Sequence, residues 1–343
     1  MTALLEIENL TKTFTMRSGM FGDTITLDAL VDINLKVEKG ETLAIVGESG
    51  CGKTTLGRCV VRALDPTSGR VSYTPEPGKT IELSSLPKRE LKPWRQDIRM
   101  IFQDPMSSLN PYMRVFDLVA EPLRIHKKAR GAELEQRVVS TLEKVGIPRD
   151  ALQRFPHAFS GGQRQRIGIA RALILDPKLV IADEAVSALD VSIQAQILNL
   201  LEDLKADFGL TYIFISHDLG VVNYIADRVV VMYLGHVVES APTEALFEHP
   251  RHPYTEVLLE ALPIADPTRR RGQRAELQGE IPFLGNRPQG CPFHTRCKYA
   301  QDRCRSEKPA LRAINGTAQQ AACHFAETLE LTGAYDAPQK AIA

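Results

Sequence analysis

Gly47-Glu48-Ser49-Gly50-Cys51-Gly52-Lys53-Thr54 decides how this chain is read. The stretch has the form G-x-x-x-x-G-K-T. It follows the apolar run Leu43-Ala44-Ile45-Val46 and precedes helical spacing from Lys53 to Leu64. A buried strand, a glycine-rich turn and a helix are therefore predicted in that order. Consecutive backbone N–H groups in such a turn wrap phosphate oxygens, and side chains larger than hydrogen block the approach. Lys53 brings a positive charge to the β- and γ-phosphates, and Thr54 offers a hydroxyl to Mg²⁺. The helix start, with Thr55 in its first turn, adds the positive end of a helix dipole. The predicted ligand is a nucleoside triphosphate, with Gly47 to Thr55 as its phosphate contacts.

Two further stretches say what the nucleotide is for. Phe159-Ser160-Gly161-Gly162-Gln163-Arg164-Gln165-Arg166 opens a helix with small residues, bare N–H groups and a serine hydroxyl, a start suited to a γ-phosphate. Leu179-Val180-Ile181-Ala182 is an apolar strand that ends in Asp183-Glu184. Asp183 suits a Mg²⁺ water shell, and Glu184 suits polarisation of an attacking water. Alone, the first is a plain helix cap and the second a solvated carboxylate pair. In this order behind a phosphate loop, they read as a site that hydrolyses a nucleoside triphosphate.

With these motifs, the chain resembles the ATPase subunits of ATP-binding cassette (ABC) transporters. Within them it resembles the subunits of bacterial dipeptide and oligopeptide importers. The cassette resemblance spans about residues 5–250 and the narrower one reaches about Phe325. It implies roles for further residues. Gln103, after Ile98-Arg99-Met100-Ile101-Phe102, matches the glutamine that touches Mg²⁺ and the attacking water. Ser160, Gly161, Gly162 and Gln163 match the signature that completes a partner's site. Ser187-Ala188-Leu189-Asp190 matches the loop that crosses the cassette interface. His217 matches the switch histidine at the γ-phosphate. Phe14 sits where an aromatic stacks on adenine, although tyrosine is commoner there. Phe159 in place of leucine and Ala185-Val186 in place of Pro-Thr depart from the usual pattern without removing a catalytic group.

The alternation of strands and helices predicts a P-loop NTPase core of α/β class with a mainly parallel sheet, its ligand at the carboxyl ends of the strands. The family adds an antiparallel β subdomain. Apolar strands are predicted near residues 5–15, 33–46, 179–182, 212–216 and 228–233, with a helix over Ser192–Phe208. The division predicted is an ATPase domain over 1–250, with a helical subdomain at about 104–165, followed by an extension over 251–343. The basic runs Arg124 to Arg130 and Arg269-Arg270-Arg271 read as a solvated face and a charged linker. A chain of 343 residues with 43% hydrophobic and 24% charged residues fits a globular protein of two units. Its zero net charge argues against nucleic acid as the main partner. No basic stretch precedes an apolar core at the N-terminus, and no run approaches the ~18–20 apolar residues of a membrane span. The expected place is the cytoplasmic face of the membrane, as a peripheral subunit.

Four of the six cysteines, Cys291, Cys297, Cys304 and Cys323, lie in the last quarter with spacing C-x5-C-x6-C-x18-C. In a reducing compartment such a group reads as ligands rather than disulfides. Zinc usually shows paired C-x2-C knuckles, absent here. A cubane iron–sulfur cluster tolerates looser spacing, and thiols without metal remain a third reading. The resemblance implies a [4Fe-4S] cluster. His249-Pro250-Arg251-His252-Pro253-Tyr254 and Asn286-Arg287-Pro288-Gln289-Gly290-Cys291-Pro292-Phe293 match the family's entry to this region.

The resemblance implies a motor that hydrolyses ATP to drive uptake of di- and oligopeptides. Its implied partners are a second, similar ATPase chain, two transmembrane permease subunits and, indirectly, a substrate-binding protein. Nickel, glutathione or an opine are alternative cargoes. A soluble cassette acting on DNA or ribosomes is a third reading, against which stand the single cassette and the lack of a heptad run.

Overall fold

In this computed structural model the residues described are 3–17, 24–104, 108–262, 282 and 287–334. The predicted linker Arg269-Arg270-Arg271 and residue Asn286 lie outside them. Strand β3 (Thr42–Val46), β7 (Leu179–Asp183) and β8 (Thr211–Ile215) are buried at every position. Sequences such as Thr-Leu-Ala-Ile-Val do not alternate because both faces of a central parallel sheet are covered. With β6 (Ile98–Ile101) and β9 (Arg228–Tyr233) they form the parallel order β9-β3-β8-β7-β6. β10 (His236–Pro242) continues the sheet antiparallel to β9. A second, antiparallel sheet, built from β1 (Ala3–Arg17), β2 (Thr24–Glu38), β4 (Ser68–Glu76) and β5 (Lys79–Glu82), has the order β2-β1-β4-β5.

The helical region uses ordinary amphipathic logic. In the helix Gly131–Lys144 the buried residues are Leu134, Val138 and Leu142, one turn apart on one face. They share a core with Leu118, Val119 and Leu123 of the helix Val115–Ile125 and with Ile167 and Ala170 of Gly161–Leu173. The basic run from Arg124 falls at the end of its helix, where Arg124, Lys127, Lys128 and Arg130 are exposed.

Two boundaries differ from the sequence reading, and one long-range pairing is new. The apolar stretch 33–46 is two strands in different sheets, divided by a turn at Gly40 with φ +80°. The helix from Lys53 stops at Val60 rather than Leu64. Arg62 takes a left-handed conformation, and the Ala63 and Leu64 N–H groups both close onto the Arg58 carbonyl. The cysteine-bearing tail also joins the main sheet. Gln320–Ala321 (β12) pairs antiparallel with β10, and Arg312–Ala313 (β11) pairs with β12. Cys291, Phe293 and Cys304 share a core with Val46, Val231 and Tyr254.

Candidate functional site: a nucleotide cleft at the strand ends

Every candidate hydrolytic residue leaves the carboxyl end of a parallel strand. The phosphate loop follows β3, Gln103 follows β6, Glu184 follows β7 and His217 follows β8. Phe14, Ser49, Gly50, Gly52, Lys53, Thr54, Thr55, Gln103, Glu184 and His217 line one open cleft of about 590 Å³. Phe14 comes from the other sheet, where it pairs with Leu27, and the Lys12 ammonium lies 5.0 Å from its ring centre. The cleft thus offers an aromatic face at one end and carboxylate, amide and imidazole groups at the other.

The loop is held from within. Lys53 is buried, and its ammonium donates to the carbonyls of Gly47 (2.7 Å) and Glu48 (3.0 Å). Gly47 has φ +148°, and a Cβ there would lie 2.2 Å from the Met232 carbonyl oxygen. Cys51 is buried beside it, and burial pushes its thiol pKa up. Cys51 supports the loop from inside, and neither it nor Gly47 nor Glu48 lines the cleft.

Glu184 meets two other polar side chains of the cleft. Its carboxylate accepts from Gln103 Nε2 at 2.7 Å and faces His217 Nδ1 at 3.4 Å, both on the same oxygen. Its backbone has φ +47°, an uncommon conformation for a residue with a side chain. The Glu184 N–H donates to the Ile215 carbonyl, and its own carbonyl accepts from Ser187 N–H and Oγ. Strain held by surrounding bonds aims one carboxylate at one place. Asp183 is buried and accepts from Thr54 Oγ1 at 2.9 Å. Burial raises its pKa, and the Thr54 bond opposes that shift. Thr54, Asp183 and Gln103 therefore present a hydroxyl, a carboxylate and an amide oxygen, all of which suit Mg²⁺.

Ser160 caps the helix Gly161–Leu173 in a reciprocal box with Gln163: Ser160 Oγ accepts from Gln163 N–H, and Gln163 Oε1 accepts from Ser160 N–H. Ser160, Gly161 and Gln163 are exposed, as are Ser187, Ala188 and Asp190. The two segments adjoin: a Cβ at Gly161 would touch Leu189, and one at Gly162 would lie 2.4 Å from Ile193. None of these residues lines the cleft of this chain.

In the tail, Cys291, Cys297, Cys304 and Cys323 line one small cavity with His252, His294 and His324. All four are free thiols. Burial pushes Cys291 up to about 11 and Cys297 to about 12. The donor set suits a soft metal. The cavity, at about 20 Å³, is only water-sized, and among the described residues no three His, Cys, Asp or Glu side chains converge to hold an ion.

A family profile for ABC transporters matches residues 30–187, and one for the C-terminal region of oligopeptide/dipeptide transporters matches 238–304. The di/tripeptide transport ATP-binding protein DppF of Pseudomonas aeruginosa is 45% identical over 95% of this chain and 99% of its own. The oligopeptide transport ATP-binding protein AppF of Bacillus subtilis is 46% identical over 94% and 97%. The chain belongs to the ATP-binding proteins of peptide ABC transporters. Among solved structures, the dimeric post-hydrolysis state of an ATP-binding cassette bound to ADP and Pi superposes with a TM-score of 0.61 at 29% identity. It covers 70% of this chain and 98% of that one. No described helix of this cassette is long and apolar enough to cross a membrane.

One group escaped the sequence reading. Arg296 forms a bidentate ion pair with Glu48 of the phosphate loop, and Tyr254 Oη accepts from the Glu48 N–H at 2.8 Å. Its position next to Cys297, and that of Tyr254 in the stretch from His249, were the only signals available.

Proposed function

We propose that this chain is the ATPase motor of an importer for dipeptides and oligopeptides, peripheral at the cytoplasmic face of the membrane. The observation that carries the reading is the gathering of Gln103, Glu184 and His217 around one carboxylate oxygen, in a cleft that also holds Phe14 and the phosphate loop. Phe14 stacks on adenine, and the loop from Gly47 to Thr55 holds the phosphates. Thr54, Gln103 and Asp183 would hold Mg²⁺, which would supply charge neutralisation on the phosphates. Glu184 accepts a proton from the attacking water, and His217 contacts the γ-phosphate.

A single chain does not complete the site. Ser160, Gly161, Gln163, Ser187, Ala188 and Asp190 form an exposed face outside their own cleft. We assign that face to the nucleotide of a second ATPase chain, similar to but distinct from this one. Two ATP molecules then lie between two cassettes, and closure of the pair is passed to two permease subunits served by a substrate-binding protein. The division into a 1–250 cassette and a 251–343 extension belongs to the same proposal, with the tail strands as the seam. For the extension we propose that the four cysteines ligate a [4Fe-4S] cluster with a structural role. Its support is the donor set of four free thiols lining one cavity; since that cavity is only about 20 Å³, the thiols must draw apart to admit a cluster. Iron analysis of anaerobically purified protein tests it, and protein without iron from iron-replete cells refutes it.

Uptake of labelled peptides by the native host tests the cargo. A chromosomal Glu184→Gln strain should lose di- and oligopeptide uptake. Unchanged peptide uptake, with loss of nickel, glutathione or opine uptake instead, would move the cargo and keep the motor.

A further inference from the structure

The segment that carries the tail cysteines also grips the phosphate loop. Cys291 to Cys297 runs as a series of tight turns: His294 N–H donates to the Cys291 carbonyl, Arg296 N–H to Phe293 and Cys297 N–H to His294. Its two end thiols face the cysteine cavity. Arg296, next to the second of them, is not part of that lining and reaches the phosphate loop instead. Arg296 Nη1 and Nη2 reach the two Glu48 carboxylate oxygens at 2.8 and 2.9 Å, with the Arg296 side chain only 4% exposed. Nη1 also lies 3.4 Å from Tyr233 Oη. Phe293, fully buried, packs against Tyr233 and Tyr254 with ring centres 5.2 and 5.3 Å away. Tyr254 in turn takes the Glu48 N–H, so both ends of one loop residue are fixed by elements beyond residue 250.

Glu48 sits between Gly47 and Ser49, inside the loop whose N–H groups must face phosphate. A planar guanidinium fork fixes a carboxylate in two directions, which an ammonium cannot do. Burial makes the pair sensitive to the loss of either member, because the other charge is then left without a partner. The Lys53 ammonium bonds the same stretch, at the carbonyls of Gly47 and Glu48. Glu48 is therefore held from the outside by the tail, while Lys53 holds the loop from the inside.

We propose that Arg296 and Tyr254 are positioning residues for the phosphate loop, making ATP affinity depend on the folded state of the cysteine-bearing tail. This rests on the reading of residues 47–55 as the ATP site. Linkage makes the effect reciprocal: bound nucleotide must quiet the tail by the same factor.

The test compares Mg·ATP binding and backbone hydrogen exchange in wild type, Arg296→Met, Arg296→Lys, Tyr254→Phe and Lys53→Ala, each as the full chain. Arg296→Met should raise the ATP Kd roughly tenfold, the equivalent of one charged hydrogen bond at about 1.4 kcal/mol per decade. Arg296→Lys should recover only part of that loss. Tyr254→Phe keeps the ring packing and removes one acceptor, and should give a smaller shift of the same sign. ATP should slow exchange at residues 291–300 in wild type but not in Arg296→Met. A purely structural tail would lower thermal stability and leave both readouts unchanged, which overturns the proposal. Should Arg296→Met fail to fold, Tyr254→Phe carries the test: a wild-type Kd with wild-type nucleotide protection of the tail overturns it equally. If wild type and Lys53→Ala bind ATP alike, the loop reading itself has failed. If Lys53→Ala loses ATP while Arg296→Met and Tyr254→Phe keep it, only the tail coupling has.

Discussion

Gly47→Ala is the sharpest probe of how the loop is built. The new methyl carbon would lie 2.2 Å from the Met232 carbonyl oxygen, 3.2 Å from its carbon and 2.8 Å from Cys51 Sγ. The Met232 neighbours are backbone atoms of β9 in the sheet centre, which cannot rotate away. The loop must move by about 1 Å, and overpacking of this kind costs ~1–3 kcal/mol. The φ of +148° adds ~1–3 kcal/mol for a residue with a Cβ. Gly40→Ala is the matched control. Gly40 has φ +80° with nothing within 4 Å of its added carbon, so only the ~1–2 kcal/mol backbone cost applies. Thermal melting and ATP titration of the three proteins separate the cases. Gly40→Ala should lose a few degrees and bind ATP normally. Gly47→Ala should lose more and bind ATP at least tenfold more weakly, because the loop N–H groups have shifted. Equal melting points together with unchanged ATP affinity in Gly47→Ala would refute the contact account of the loop.

Two other predictions concern the cap and the tail. Ser160→Ala removes one half of an exposed capping box, costing about 1 kcal/mol or less of stability. Hydrolysis by the assembled transporter should nevertheless fall at least tenfold, while ATP binding to the isolated chain stays unchanged; weakened binding to the isolated chain would place Ser160 in its own cleft. His252 is buried, with Nδ1 accepting from the Tyr254 N–H, and burial lowers its pKa to about 3. His236 is lowered to about 3 for the same reason. The unfolded chain takes up these protons near pH 6.5, so stability is full above that pH. It is lost toward pH 3, at about 1.4 kcal/mol per pH unit per histidine. Glu239, raised by burial to about 7, opposes this between pH 7 and 4.5. His252→Asn should flatten the acid loss in urea unfolding between pH 6.5 and 5, and an unchanged slope would assign that loss to other groups.

The core and the cleft were legible because their signals are local. The strands β3, β7 and β8 announce themselves as apolar runs, and each is followed within three residues by a polar group that enters the cleft. The helix Gly161–Leu173 is written in its cap, where Ser160 and Gln163 stand three apart. Local reasoning failed where contacts between distant segments decide. No glycine marks the end of the first helix, because Arg62 takes the left-handed turn and is held by Asp65 at 3.0 Å and the Leu86 carbonyl at 3.1 Å. Two-residue strands such as Gln320–Ala321 carry no periodicity and exist only because β10 offers an edge. The bond between Arg296 and Glu48 joins residues 248 positions apart. Glu239 shows the same dependence: buried in β10, it accepts from the N–H groups of Arg251 and His252 and from Thr255 Oγ1, and so fixes where the tail departs. Its sequence neighbourhood carries no such signal.

We assign Glu184 as the base of an ATP-hydrolysing cleft. ATP hydrolysis by the purified transporter, wild type against Glu184→Gln in this chain, tests it most directly, with nucleotide occupancy measured on both. Glu184→Gln should keep ATP affinity within a few fold, lose at least ~10²-fold of this site's turnover and accumulate the closed ATP-bound pair. Near-normal turnover at this site with ATP bound would contradict it and place the base elsewhere.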